Sequence, residues 1–152
     1  MRKEKISLYL DDVRTPVDDS WQIVRSYNEF VTHIRLNGLE NYEMITLDHD
    51  LGEQAIDEFY NNALPNYTLN YDNIVNEKTG LDCAKWLISS YYEKDQTSQG
   101  RSEKRQKGIT FPQIYVHSAN PIGSANIMGY INNFFMNEGQ PQNCIRARFP
   151  HT

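Results

Sequence analysis

Residues 43–52 read EMITLDHDLG. The first half is apolar and β-prone, and its length suits a buried strand. The second half sets Asp48, His49 and Asp50 directly after that strand and closes on Leu51-Gly52. Carboxylates at the end of a buried strand are costly unless a cation or hydrogen-bond donors hold them. The same design recurs twice. ISLYL (6–10) is followed by Asp11 and Asp12, and QIYVH (113–117) by Ser118, Ala119 and Asn120.

Between these strands the chain reads as helices and loops. DDVRTPVDDS is a polar loop, and WQIVRS (21–26) reads as a second strand. Ser26 with Glu29 forms a capping-box pattern, S-x-x-E. Tyr27, Phe30, Val31 and Ile34 then recur at helical spacing until Gly38. Thr79 and Asp82 repeat the cap before the stripe Ala84, Leu87, Ile88 and Tyr91. Pro121 suits the first position of a helix whose buried face is Ile127, Ile131, Phe134 and Phe135. CIRARF (144–149) predicts the last strand. Alternating strands and helices give an α/β class with a mainly parallel sheet. One connection is awkward. Only residues 11–20 join the first two strands, whereas a parallel crossover usually needs a dozen residues or more. Either that crossover is an extended loop or those strands pair differently.

Two polar stretches interrupt the pattern. Residues 53–78 hold six asparagines between Asn61 and Asn76, with Tyr60, Tyr67 and Tyr71 among them. This reads as a partly ordered insertion over the mouth of a site. Residues 93–108 carry no apolar side chain and read as a mobile loop. The whole, residues 1–152, is expected to form a single domain.

Bulk composition narrows the function. The 152 residues carry a formal charge of −5 and 39% hydrophobic residues. That charge argues against a protein that grips long nucleic acid, but it allows a small phosphorylated ligand in a local site. No segment is long and apolar enough for a membrane span, and charge in MRKEKISLYLDD argues against a signal peptide. Cys83 and Cys144 form no CxxC pair, so reduced thiols in a cytoplasmic protein are expected. His33 and His151 read as surface residues, Trp21 and Trp86 as core.

In an open parallel sheet, ligands gather outside the carboxyl ends of the strands. If the three polar strand ends lie side by side, Asp11, Asp12, Asp48 and Asp50 share one crevice. Their mutual repulsion then requires protonation or a cation. An all-oxygen donor set suits Mg²⁺ or Mn²⁺, which keep waters and accept a phosphate oxygen. Arg14 is placed to clamp a phosphate, and the helix start at Asn120 offers amides to the same group. His49 and His117 bring proton-transfer capacity, and Ser118 a hydroxyl. Each residue alone has a plainer reading: a turn for Asp11, Asp12 and Asp50, a satisfied core histidine for His117, a helix cap for Ser118 or Asn120, a surface charge for Arg14. The functional reading rests on their coincidence at strand ends.

The strings LYLDD, TLDHDLG and YVHSANP resemble the active-site strands of receiver domains, the phosphoacceptor modules of two-component signalling. That resemblance implies a flavodoxin-like fold, a metal-binding acid pair at Asp11 and Asp12, an acceptor carboxylate at Asp48 and a hydroxyl element at Ser118-Ala119. It also implies a metal contact from the backbone carbonyl of Asp50. The fuller set, LDDVR-T-P, LDHDLG, TGLD and HSANPIG, resembles the cyclic-phosphate processing receiver domains. There are departures from a signalling receiver. Arg146 and Arg148 precede Pro150 where that family has a Lys, and the first and last helices read as reduced or missing.

These readings predict metal-dependent processing of a cyclic phosphate or phosphodiester, such as a cyclic nucleotide or the 2′,3′-cyclic end of an RNA. Asp48, His49, His117 and Ser118 are the catalytic candidates, Arg14 and Asn120 the substrate contacts, and Asp11, Asp12, Asp48 and Asp50 the metal ligands. Two alternatives stay open: a phosphoacceptor switch at Asp48, and a module that binds a cyclic nucleotide without cutting it, using the Tyr- and Asn-rich insertion for base contacts.

Overall fold

The computed structural model describes residues 4–96, 111–140 and 143–152. Five strands form one sheet: β1 (Ile6–Leu10), β2 (Trp21–Val24), β3 (Tyr42–Leu47), β4 (Gln113–Val116) and β5 (Cys144–Arg146). All neighbouring pairs are parallel, in the order β2-β1-β3-β4-β5. This is the flavodoxin-like order of receiver domains.

The awkward crossover resolves as an extended loop. β2 pairs parallel to β1, with Ser7 opposite Trp21 and Leu10 opposite Val24. Arg25 makes the loop rigid: Nη1 donates to the carbonyls of Asp11 (3.1 Å) and Arg14 (2.6 Å), and Nη2 to Oγ1 of Thr15 (2.8 Å). Two carbonyls of the loop, which a helix would satisfy internally, are satisfied here by one guanidinium. β2 stops at Val24, two residues short of the expected end, because Ser26 turns to cap α1 (Tyr27–Asn37). Its Oγ accepts from the amide of Glu29, and Gly38, at φ 84°, ends the helix.

Three longer helices, α1, α4 (Gly80–Gln96) and α5 (Pro121–Asn137), share one core with Leu8, Leu10, Ile45, Leu47, Ile114 and Val116. These strand residues alternate along β1, β3 and β4, so they occupy one face of the sheet. The opposite face carries Tyr9, Trp21, Thr46 and Tyr115. Rings cover it: Trp21 packs edge-on against Tyr9 and Phe149, and Phe149 against Tyr115. Among the described residues no helix lies between β1 and β2 or follows β5. β5 is shorter than the expected CIRARF, and Ala147–Thr152 instead runs as a strap. Val17 donates to the Pro150 carbonyl, Thr152 to that of Thr15, and Pro16 bridges His151.

The 53–78 stretch is more ordered than its composition suggests. It holds α2 (Glu53–Glu58), a π-helical turn (Phe59–Ala63), α3 (Leu64–Asn66) and a 3-10 turn (Tyr71–Asn73). Buried Glu58 organises it. Asn62 donates to both carboxylate oxygens, Asn73 to Oε1, and the Asn70 amide to Oε2. The helix α4 extends through Gln96, into the stretch expected as a loop; residues 97–108 of that expectation lie outside the described residues. Cys83 and Cys144 are free and buried. Trp21 is core and Trp86 half-buried against Phe30. His33 corrects its surface reading: half-buried, it links Oη of Tyr42 (2.6 Å) to Oε1 of Gln22 (2.7 Å).

Candidate functional site

The carboxyl ends of β1, β3 and β4 bring Asp11, Asp48 and His117 together. Asp11, Asp12 and Asp48 each offer an oxygen, and these oxygens lie within 4.8 Å of one another. Among the described residues the cup therefore gathers three carboxylates, where the sequence suggested four. The Asp50 carboxylate faces another way, where Oδ1 accepts from Nδ1 of His49 (2.6 Å) and Nδ2 of Asn120 (3.3 Å).

Asp11 is fully buried and fully engaged. Oδ1 accepts from the amides of Val13 (3.0 Å) and Arg14 (2.8 Å). Oδ2 accepts from Nε of Arg14 (2.9 Å) and Nε2 of His117 (3.0 Å). Burial pushes its pKa up, but the bonds from His117, Arg14 and Val13 and the Arg14 charge outweigh it and hold the carboxyl at about 2. Asp48 sits in the opposite condition. Burial and the Asp11 charge push it up to about 7, against the pull of Arg14 and a hydrogen bond with Ser118. Its Oδ1 accepts from the His49 amide (2.8 Å), with Nη2 of Arg14 at 3.5 Å. Asp12, half-buried, is raised by burial and by Asp11.

His117 stacks on Tyr9, ring centroids 4.4 Å apart, on the sheet face that also carries Trp21 and Tyr115. Nδ1 lies 2.8 Å from Oγ1 of Thr46. A carboxylate only accepts, so Nε2 carries a proton toward Asp11; Thr46, a hydroxyl that can donate or accept, serves Nδ1 in either protonation state. Burial lowers the His117 pKa although Asp11 pulls the other way. His49 is also buried with both nitrogens engaged, by Asp50 and by Oη of Tyr71 (2.9 Å); Asn126 donates to the same Oη (3.0 Å). The 53–78 insertion is thus tied to the catalytic candidate His49 through Tyr71. Asn120 caps α5, accepting at Oδ1 from the amides of Ile122 (3.1 Å) and Gly123 (3.0 Å). Ser118 accepts from the Asn120 amide, and its carbonyl accepts from Nη2 of Arg146 (3.1 Å).

Two motif glycines are steric requirements. A Cβ at Gly80, in TGLD, would run into the Asp48 carbonyl, and one at Gly123, in HSANPIG, into the His49 ring. Each lets a helix start approach the LDHDLG loop. The sequence singled out none of Tyr9, Arg25 and Thr46 for the site, and placed Tyr71 only within the insertion. Tyr9 and Thr46 sit inside apolar runs, and their roles depend on strand register, where they are direct partners.

Beside the cup lies a cavity of about 660 Å³, lined by Tyr9, Arg14, His117, Ser118, Arg146 at the end of β5 and the strap as far as His151. Tyr9 and His117 place it on the sheet face covered by the aromatic rings. Arg14, Arg146, Arg148 and His151 contribute to its wall, and among the described residues no carboxylate does.

A parallel sheet of this order with an acid cup at its carboxyl edge defines a receiver-type domain. The model for the cyclic-phosphate processing receiver domain matches residues 6–133, and the chain belongs to that family. β5 and the strap lie outside the matched span. No curated relative and no solved structure matches the chain. Among the described residues no helix is long and apolar enough to cross a membrane.

Proposed function

We propose that the protein hydrolyses a cyclic phosphate or phosphodiester with the help of a divalent metal. One juxtaposition supports this most: three carboxylates converge next to a cavity whose charged lining is basic. Asp11, Asp12 and Asp48 are the residues that would hold Mg²⁺ or Mn²⁺; an oxygen-only cluster fits such hard ions. The ion's contribution is Lewis-acid polarisation of a phosphoryl oxygen. Arg14 neutralises charge that develops on the phosphoryl group, and Arg146 and Arg148 attract the anionic ligand into the cavity. His117, paired with Asp11, is the candidate for moving a proton between water and the leaving oxygen. Water adds across one P–O bond, giving a phosphate monoester and a free hydroxyl from a cyclic substrate. His49 supports the site by holding Asp50 and the insertion.

The test is incubation with Mg²⁺ or Mn²⁺ and a panel of cyclic mono-, di- and oligonucleotides and RNA with 2′,3′-cyclic ends. Chromatography separates cleaved product from retained ligand, and retention without cleavage would replace the enzyme reading by the binding-module reading. A second reading, a phosphoacceptor switch, draws support from the Ser118 hydrogen bond to Asp48, and label transfer from acetyl phosphate to Asp48 would establish it.

A further inference from the structure

The metal reading above leaves a problem of occupancy at Asp11. An ionised carboxylate has about four acceptor positions. All four on Asp11 are filled: two by the amides of Val13 and Arg14, one by His117 Nε2 and one by Arg14 Nε. The amides belong to the Arg25-pinned loop and the histidine is locked between Tyr9 and Thr46. The Arg14 guanidinium is the exception. Its side chain is 26% exposed, it reaches 3.5 Å from Asp48 at its other end, and it lines the 660 Å³ cavity.

We propose that Arg14 is a resident counter-ion of the acid cup that a divalent cation must displace. A guanidinium lying between Asp11 and Asp48 relieves the same repulsion that a metal ion would relieve, so the two cations compete for the same oxygens. Arg14 thereby sets the metal affinity from below, and its release leaves a bidentate donor at the wall of the cavity that receives the phosphate. This rests on the metal reading and adds one consequence contrary to the ordinary expectation for an active-site arginine: its removal tightens metal binding. The Arg14 amide, which also bonds Asp11, survives any side-chain substitution.

The experiment is titration of Mn²⁺ alone, without substrate, into wild type, Arg14→Gln and Arg14→Lys by calorimetry. Arg14→Gln is expected to bind Mn²⁺ about tenfold more tightly than wild type, and Arg14→Lys, which keeps the charge, to stay nearer to wild type. If Arg14→Gln is too unstable without metal, the rise in melting temperature on adding Mn²⁺ is read instead, and it must exceed that of wild type. Unchanged or weaker binding in Arg14→Gln, with wild type binding normally, overturns the counter-ion role and leaves the metal site standing. Absence of Mn²⁺ binding in all three proteins overturns the metal site and this proposal together.

Discussion

Two buried carboxylates, Glu58 and Asp48, have opposite surroundings. Glu58 collects donors: Asn62, Asn73 and the Asn70 amide surround it, and although burial opposes them they hold its pKa below the ordinary range. Asp48 shares its pocket with a second acid, and burial plus that charge raise it to about 7. Glu58 is an acid whose needs are met by neighbours within sixteen residues of chain, and it organises structure. Asp48 is an acid whose needs are met only in part, and it is poised for a cation or a proton. A buried charge left under-compensated at the carboxyl edge of a sheet marks chemistry better than burial itself does.

The sharpest way to break this contrast is to neutralise each acid. Asp48→Asn is expected to abolish measurable Mn²⁺ binding in calorimetry while leaving the metal-free fold at least as stable as wild type, since it removes a repelled charge. Retained affinity would place the ion elsewhere. The pH dependence of the metal-free protein comes next. An acid whose folded pKa lies above its unfolded value binds more protons when folded, so Asp48 makes stability fall as pH rises from about 4 to about 7, by roughly 2–4 kcal/mol. Asp11, held at about 2, works in the other direction and loses its contribution as pH falls below about 4. Chemical denaturation across this range should show a maximum near pH 4–5 from these two groups, and Asp48→Asn should flatten its alkaline side.

Glu58→Ala leaves amide donors of Asn62, Asn70 and Asn73 without their acceptor. Its cost is expected at roughly 2–3 kcal/mol in urea denaturation, with Mn²⁺ affinity unchanged. A fall in metal affinity would couple the insertion to the cup. Tyr71→Phe tests the same link more gently. Loss of its hydroxyl from His49 and Asn126 is expected to cost about 1 kcal/mol, and a larger loss of phosphodiesterase rate than of stability would give His49 a part in the chemistry.

The insertion also shows where sequence reading stops. Asparagine and tyrosine suggested contacts to a nucleobase, yet Asn62 and Asn73 face Glu58, and Tyr71 faces His49. Composition reports hydrogen-bonding capacity without saying which partner takes it up. The crossover between β1 and β2 was ambiguous for a related reason: loop length disfavours a parallel pairing, and the guanidinium that holds the loop, that of Arg25, comes from beyond β2. Strand cores, caps at Ser26 and Thr79 and the stop at Gly38 were legible because local hydrogen bonding and side-chain periodicity act within a few residues.

The sequence by itself determined the alternation of strands and helices, the polar strand ends and their family likeness, because each depends on spacing along the chain. Tertiary structure was needed to see that Asp11 is saturated, that Asp50 turns from the cup toward His49 and Asn120, that Tyr9 and Thr46 hold His117, and that a cavity lined by Arg14, Arg146 and Arg148 opens beside the cup. Those facts depend on register and on which face each side chain takes, and parallel strands separated by tens of residues acquire both only when the sheet assembles.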